Sequence, residues 1–187
     1  MGIKHSGKST QGRILSEDLA MPFFDTDDVI TTLTGKTPRT IYKKEGKEAF
    51  MQAETEASRH IVKTIAQTRQ GAVIATGGGI CDNTEAIAIL RPLGKIIYLS
   101  AEEKTACDRI LKEAHLCADG TLQNLPAYIE KHSPQSEEEV RAIFHEFYTE
   151  REKQYRALAD VSVLMKNVSR YENTRAILEG IKELHAH

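Results

Sequence analysis

Residues Gly2 to Thr10 read GIKHSGKST, a stretch of the form G-x-x-x-x-G-K-S. Few short patterns restrict a fold so strongly. The two glycines permit a close backbone approach, so that successive amides can point at phosphate oxygens. A helix beginning near Lys8 adds its unpaired N–H groups and the positive end of its dipole. Lys8 can reach β- and γ-phosphates, and the Ser9 hydroxyl suits Mg2+ coordination. Such a loop normally sits at the end of a buried strand, whereas here Met1 alone stands ahead of it. The plainer reading is a Gly/Ser turn that caps a helix.

The rest of the chain alternates in the way that loop requires. Helical patterns cover Ser9 to Ala20 and Asp28 to Leu33, the second ending near Gly35. Pro38 breaks the chain, Thr40 to Glu45 forms a short helix before Gly46, and Glu48 to Arg69 reads as a long one. Helices are also expected over Thr84 to Leu90, Ala101 to Lys112, Glu137 to Arg156 and Glu172 to Leu184. Between them stand short apolar runs: Pro22 to Phe24, Ala72 to Thr76, Lys95 to Leu99 and Asp160 to Met165. This rhythm specifies a parallel sheet covered by helices. Residues 113–136 are polar, weakly periodic and bracketed by Pro126 and Pro134, which fits either a cover over a site or a surface insertion.

Two strand ends carry chemistry. Asp25-Thr26-Asp27 follows the Phe23-Phe24 run, and strand ends form the usual ligand crevice of a parallel sheet. Alternation turns Asp25 and Asp27 to the same side. One can hold a metal while the other orients or deprotonates a hydroxyl nucleophile; helix capping ahead of Asp28 is the structural alternative. Gly77-Gly78-Gly79 ends the most apolar strand candidate, where three glycines point to a wall that a ligand approaches closely, or simply to a bend.

At 187 residues with 40% hydrophobic residues, one soluble domain over 1–187 is expected. A formal charge of -2 and the lack of basic or aromatic clustering argue against nucleic-acid or membrane partners. No run approaches the roughly 20 apolar residues of a spanning helix. Cys81, Cys107 and Cys117 are odd in number and widely spaced, which suits reduced thiols in a cytoplasm. Cys117 and His115 lie close in sequence, but the pair is read as incidental.

Taken together, GIKHSGKST, FFDTDDVI and ATGGG resemble the shikimate kinase family of small P-loop kinases, in order and over nearly the whole chain. The resemblance implies ATP-dependent phosphorylation of the 3-hydroxyl of shikimate, with Mg2+, by a monomer. It implies a five-stranded parallel sheet of order 2-3-1-4-5, with strand 1 apparently absent here and about six upstream residues lost by typical strand length. It further implies that Gly2, Ser6, Gly7, Lys8, Ser9, Thr10 and Arg109 bind nucleotide and that Ser9 and Asp25 serve the metal. Asp27 contacts substrate hydroxyls as candidate base beside Lys8, while Gly77, Gly78, Gly79 and Arg151 bind substrate. Residues 28–70 would be the substrate-binding helical region and 113–136 the lid.

Two stretches depart from the family pattern. Where it reads G-E-x-x-F-R, this chain has GKEAFM, so that Met51 stands in place of a carboxylate-binding arginine. Arg39 or Lys47 could compensate from another direction. After Arg109 the chain continues ILKEAHLCADGTL, without the R-x-R-P-L-L of the family lid. Two alternatives stay open: a related kinase for another small hydroxylated acid or polyol, and a nucleotide-binding protein with degraded activity.

Overall fold

A computed structural model describes residues 1–117 and 122–185. After the glycine loop come α1 (Lys8–Asp18), β1 (Phe23–Asp25) and α2 (Thr26–Thr34). The long α3 (Pro38–Thr68) leads to β2 (Val73–Ala75), a 3-10 turn (Ile80–Asp82) and α4 (Thr84–Leu90). Next are β3 (Ile97–Ala101), α5 (Glu103–Glu113), β4 (His115–Leu116), β5 (Leu122–Gln123) and α6 (Ala127–Glu130). The chain closes with α7 (Glu137–Leu158), β6 (Val161–Met165) and α8 (Arg170–His185).

Local chemistry sets many of these boundaries. Gly7 takes a left-handed φ of 91° just before α1, a conformation that costs a glycine little. The Asp25 side chain accepts from the Asp27 amide at 3.1 Å and so caps α2. Thr37 caps α3 with Pro38 in its first turn, and the helix kinks at Gly46, where φ is 92° and ψ 177°. That kink divides the helix where the sequence predicts two. Ser169 and Glu172 exchange reciprocal bonds of 3.2 and 3.0 Å at the start of α8, a capping box.

Packing then joins the elements. Tyr98, Ile110, Ile129, Phe144 and Tyr155 bury one core between β3 and α5 to α7. Leu15, Leu99, Val163 and Ile177 form a second under α1 and α8, and Ile30, Ile41 and Ala57 a third between α2 and α3. Each large side chain fully withdrawn from water contributes about 1.5–3 kcal/mol before entropy is counted. Arg91 grips Asp160 through bonds of 2.8 and 3.0 Å, and Asp160 also accepts from the Ile96 amide at 2.6 Å. This fork pins the start of β6 beside β3.

The α/β class with parallel strands is as expected, but among the described residues the five-stranded order 2-3-1-4-5 does not form. β1 pairs with β2 and β3 with β6, each in parallel, while β4 and β5 make a separate antiparallel pair. Between β2 and β3 the chain supplies Met1, whose ammonium donates to the Ile97 carbonyl at 2.7 Å and whose carbonyl accepts from the Leu99 amide at 2.9 Å. Among the described residues no strand joins the β2 edge to the β3 edge. The space between them is a cavity of about 350 Å³ whose lining includes Leu15, Ile74, Ile97, Leu99 and Ile177. No helix among the described residues is long and apolar enough to cross a membrane.

Candidate active site

The glycine loop folds back so tightly that a Cβ on Gly2 would lie 2.5 Å from the Leu99 carbonyl oxygen. Its Ser6 amide bonds to the Ile3 carbonyl at 3.1 Å. No side chain caps the amino end of α1, which leaves its first N–H groups facing the loop. Lys8 donates to the Ile3 carbonyl at 2.9 Å, and burial brings its ammonium down to about 8 against the pull of Asp27 and Asp25. Arg109, from α5, donates to the His5 carbonyl at 2.6 Å and so reaches over the loop from the other side. Ser9 and Thr10 stand exposed in the first turn of α1.

The acids lie where the strand delivers them. Ser9 Oγ donates to Asp25 Oδ2 at 2.6 Å, joining the two side chains expected to serve a metal. Asp27 is half-buried, and burial together with Asp25 pushes its carboxyl up to about 6. Its Oδ1 has no hydrogen-bond partner and lies 3.0 Å from the position a Cβ would take on Gly77. The Gly77 amide in turn donates to Thr26 Oγ1 at 2.9 Å, which stitches the glycine wall to the acid loop. Gly78 abuts the phosphate loop: a Cβ there would lie 3.5 Å from the Lys4 amide nitrogen and 3.6 Å from the Gly2 carbonyl oxygen. The three sequence signals therefore meet at one crevice.

Arg151 enters the crevice from α7 and is buried at its far end. Its guanidinium bonds to Cys81 Sγ at 2.7 Å, to Gln154 Oε1 at 3.1 Å and to the Asp82 carboxylate. It also lies 4.9 Å from the centre of the Phe147 ring. Two of these partners, Cys81 and Asp82, belong to the 3-10 turn that follows the glycine wall, and none of its hydrogen bonds goes to Asp27. Arg39 is committed elsewhere, to Asn124 at 2.9 Å, the Leu125 carbonyl at 3.0 Å and Glu130 at 3.3 Å. Residues 118–121 of the expected lid lie outside the described residues.

Several contributors escape a reading by motif. Glu54 is 1% exposed, and burial pushes its carboxyl up to about 7. Asn83 donates to its Oε2 at 3.3 Å, while its Oε1 is unpartnered and lies 3.3 Å from the same point above Gly77. The sequence signal for Glu54 is its place one turn after Met51 and four residues after Phe50, on one face of α3. Tyr155 donates to the Gly78 carbonyl, and Asp82 holds Arg151. Neither stands at a motif position, and only the fold brings them here.

Comparison with known proteins shows which family has this sequence and fold. The family model for shikimate kinase matches residues 4–182. A shikimate kinase of Symbiobacterium thermophilum is 40% identical over 109 residues, 58% of this chain and 60% of that protein's length. One of Francisella tularensis subsp. holarctica is 32% identical over 163 residues, 87% of this chain and 81% of its own. Among solved structures, shikimate kinase from Acinetobacter baumannii in complex with shikimate superposes with a TM-score of 0.73 at 26% identity, covering 97% of this chain and 90% of that one. The Aquifex aeolicus shikimate kinase gives a TM-score of 0.69 at 25% identity, covering 97% and 94%.

Proposed function

This chain belongs to the shikimate kinase family, and from that membership we propose that it transfers the γ-phosphoryl group of ATP to the 3-hydroxyl of shikimate. The observation that carries the reading is the shared crevice of phosphate loop, acid loop and glycine wall, with Ser9 Oγ 2.6 Å from Asp25 and Asp27 Oδ1 unpartnered beside Gly77.

The residues present fit ATP and Mg2+. Loop amides and the uncapped start of α1 offer donors to the phosphates, and Lys8 would exchange the Ile3 carbonyl for phosphate oxygens. Ser6, Gly7 and Thr10 flank that turn, and Arg109 closes over it from the nucleotide side. Ser9 and Asp25 form a hydroxyl–carboxylate pair of the kind hard cations favour. Bound there, Mg2+ would offset charge on the phosphoryl group. Gly77 to Gly79 form the wall against which shikimate lies, and Arg151 faces its carboxylate. Asp27 Oδ1 orients the 3-hydroxyl and accepts its proton as the new O–P bond forms, with ADP leaving.

Met51 favours a second reading, a neutral polyol acceptor, because a thioether offers a carboxylate nothing. An ADP-release assay with Mg-ATP separates the two. Turnover with shikimate well above that with polyols supports the first reading; turnover with a polyol and none with shikimate overturns it.

A further inference from the structure

Two cations from separate helices converge on one carboxylate beside the glycine wall. Arg151 Nη2 bonds to Asp82 Oδ2, and Lys47 Nζ lies 3.8 Å from the same oxygen. Asp82 belongs to the 3-10 turn that continues the wall, its amide bonded to the Gly79 carbonyl at 3.0 Å. Asp27 Oδ1 and Glu54 Oε1 face the head of the same wall, 3.0 and 3.3 Å from the point where a Cβ on Gly77 would stand.

Building on the reading above, we propose that Lys47 and Arg151 form the clamp for the acceptor's carboxylate, and that Asp82 is its resting occupant, displaced when the acceptor binds. Lys47 stands in the first turn after the Gly46 kink, where the helix dipole disfavours a cation. Helix stability alone gives no reason for it there. It lies one turn before Met51 on the same face of α3, so the charge missing at 51 is supplied at 47. Its side chain is 58% exposed and free to follow a ligand, whereas that of Arg151 is 10% exposed and keeps its bonds to Cys81 and Gln154 when Asp82 leaves. Arg39, the other candidate cation, is bound to Asn124, Leu125 and Glu130. An external carboxylate meets the same two donors that Asp82 meets now.

The test uses shikimate and its neutral methyl ester as calorimetric ligands, beside ADP release. Lys47→Met is expected to weaken the acid roughly three- to tenfold, leave the ester unchanged, and raise KM for shikimate with kcat and KM for ATP intact. Lys47→Arg should restore acid binding. Asp82→Asn should tighten the acid; weaker or unchanged binding would overturn the stand-in role. If the wild type turns over shikimate but its preference for acid over ester ignores residue 47, the clamp fails and the kinase reading stands. If residue 47 sets that preference yet no ADP is released, the clamp stands and the kinase reading fails. Absence of any shikimate binding overturns both.

Discussion

At the scale of single residues, the two carboxyls beside Gly77 both titrate above their ordinary range, Asp27 with a consequence for activity and Glu54 for stability. Asp27 must be ionised to accept a proton, and its carboxyl is pushed up to about 6. Activity is therefore expected to fall as pH drops below about 6, and Asp27→Asn should lower kcat roughly a hundredfold or more with KM for ATP little changed. A flat profile between pH 5 and 7 would remove Asp27 as the base. Glu54 titrates near 7 when folded against 4.5 in an ordinary setting, so the native state binds the proton more tightly than the unfolded chain. Stability from this group is present below 4.5 and is lost as pH rises through 7. Glu54→Gln keeps the shape without the charge. Its unfolding free energy should match the wild type near pH 4 and exceed it by about 2–3 kcal/mol at pH 8, as denaturant melts at both values would show. Asp25, Asp27 and Lys8 were legible as residues because motifs fix their neighbours. Glu54 was not, since its environment comes from Asn83 and Gly77, 29 and 23 positions farther along the chain.

Among the elements, the contact of α1 with β1 carries the site. A Cβ on Gly12 would lie 2.4 Å from the Phe23 ring, so the helix sits on the strand with no room for a methyl group. Gly12→Ala is expected to destabilise the fold by about 1–3 kcal/mol and to raise KM for ATP. The displaced helix would draw Ser9 away from Asp25. Unchanged KM would separate helix packing from metal-site geometry. Most elements could be read from the chain because local signals set them: Pro38, the Gly46 kink and Gly35 mark ends whatever packs nearby. The strand expected at Lys95 begins instead at Ile97, because the fork of Arg91 and Asp160 engages the Ile96 amide first. The β4–β5 pair in the 113–136 region has two residues on each side, too short for alternation to show.

For the molecule as a whole, the two parallel pairs face each other across an apolar cavity, with Met1 as the single rung on the β3 edge. Its ammonium is brought down to about 5 by burial and by Lys8, from 8.0 when free. Between those values the unfolded chain binds the proton better, so stability rises with pH across that window. At pH 7 the shift costs roughly 1 kcal/mol. Five apolar β-branched residues joined ahead of Met1 would replace that ammonium with an amide and offer backbone partners to both sheet edges. Each side chain buried in the cavity contributes about 1.5–3 kcal/mol against about 1–2 kcal/mol of backbone ordering. The extended chain is therefore expected to melt at least 5 °C higher, at about 2–4 °C per kcal/mol, and to lose the component of stability that rises with pH between 5 and 8, leaving the opposite slope set by Glu54. A Gly/Ser extension of equal length separates the two effects: it should remove the same rising component without the further gain in melting temperature. An apolar extension that melts no higher than the Gly/Ser one would show that the cavity does not accept a strand.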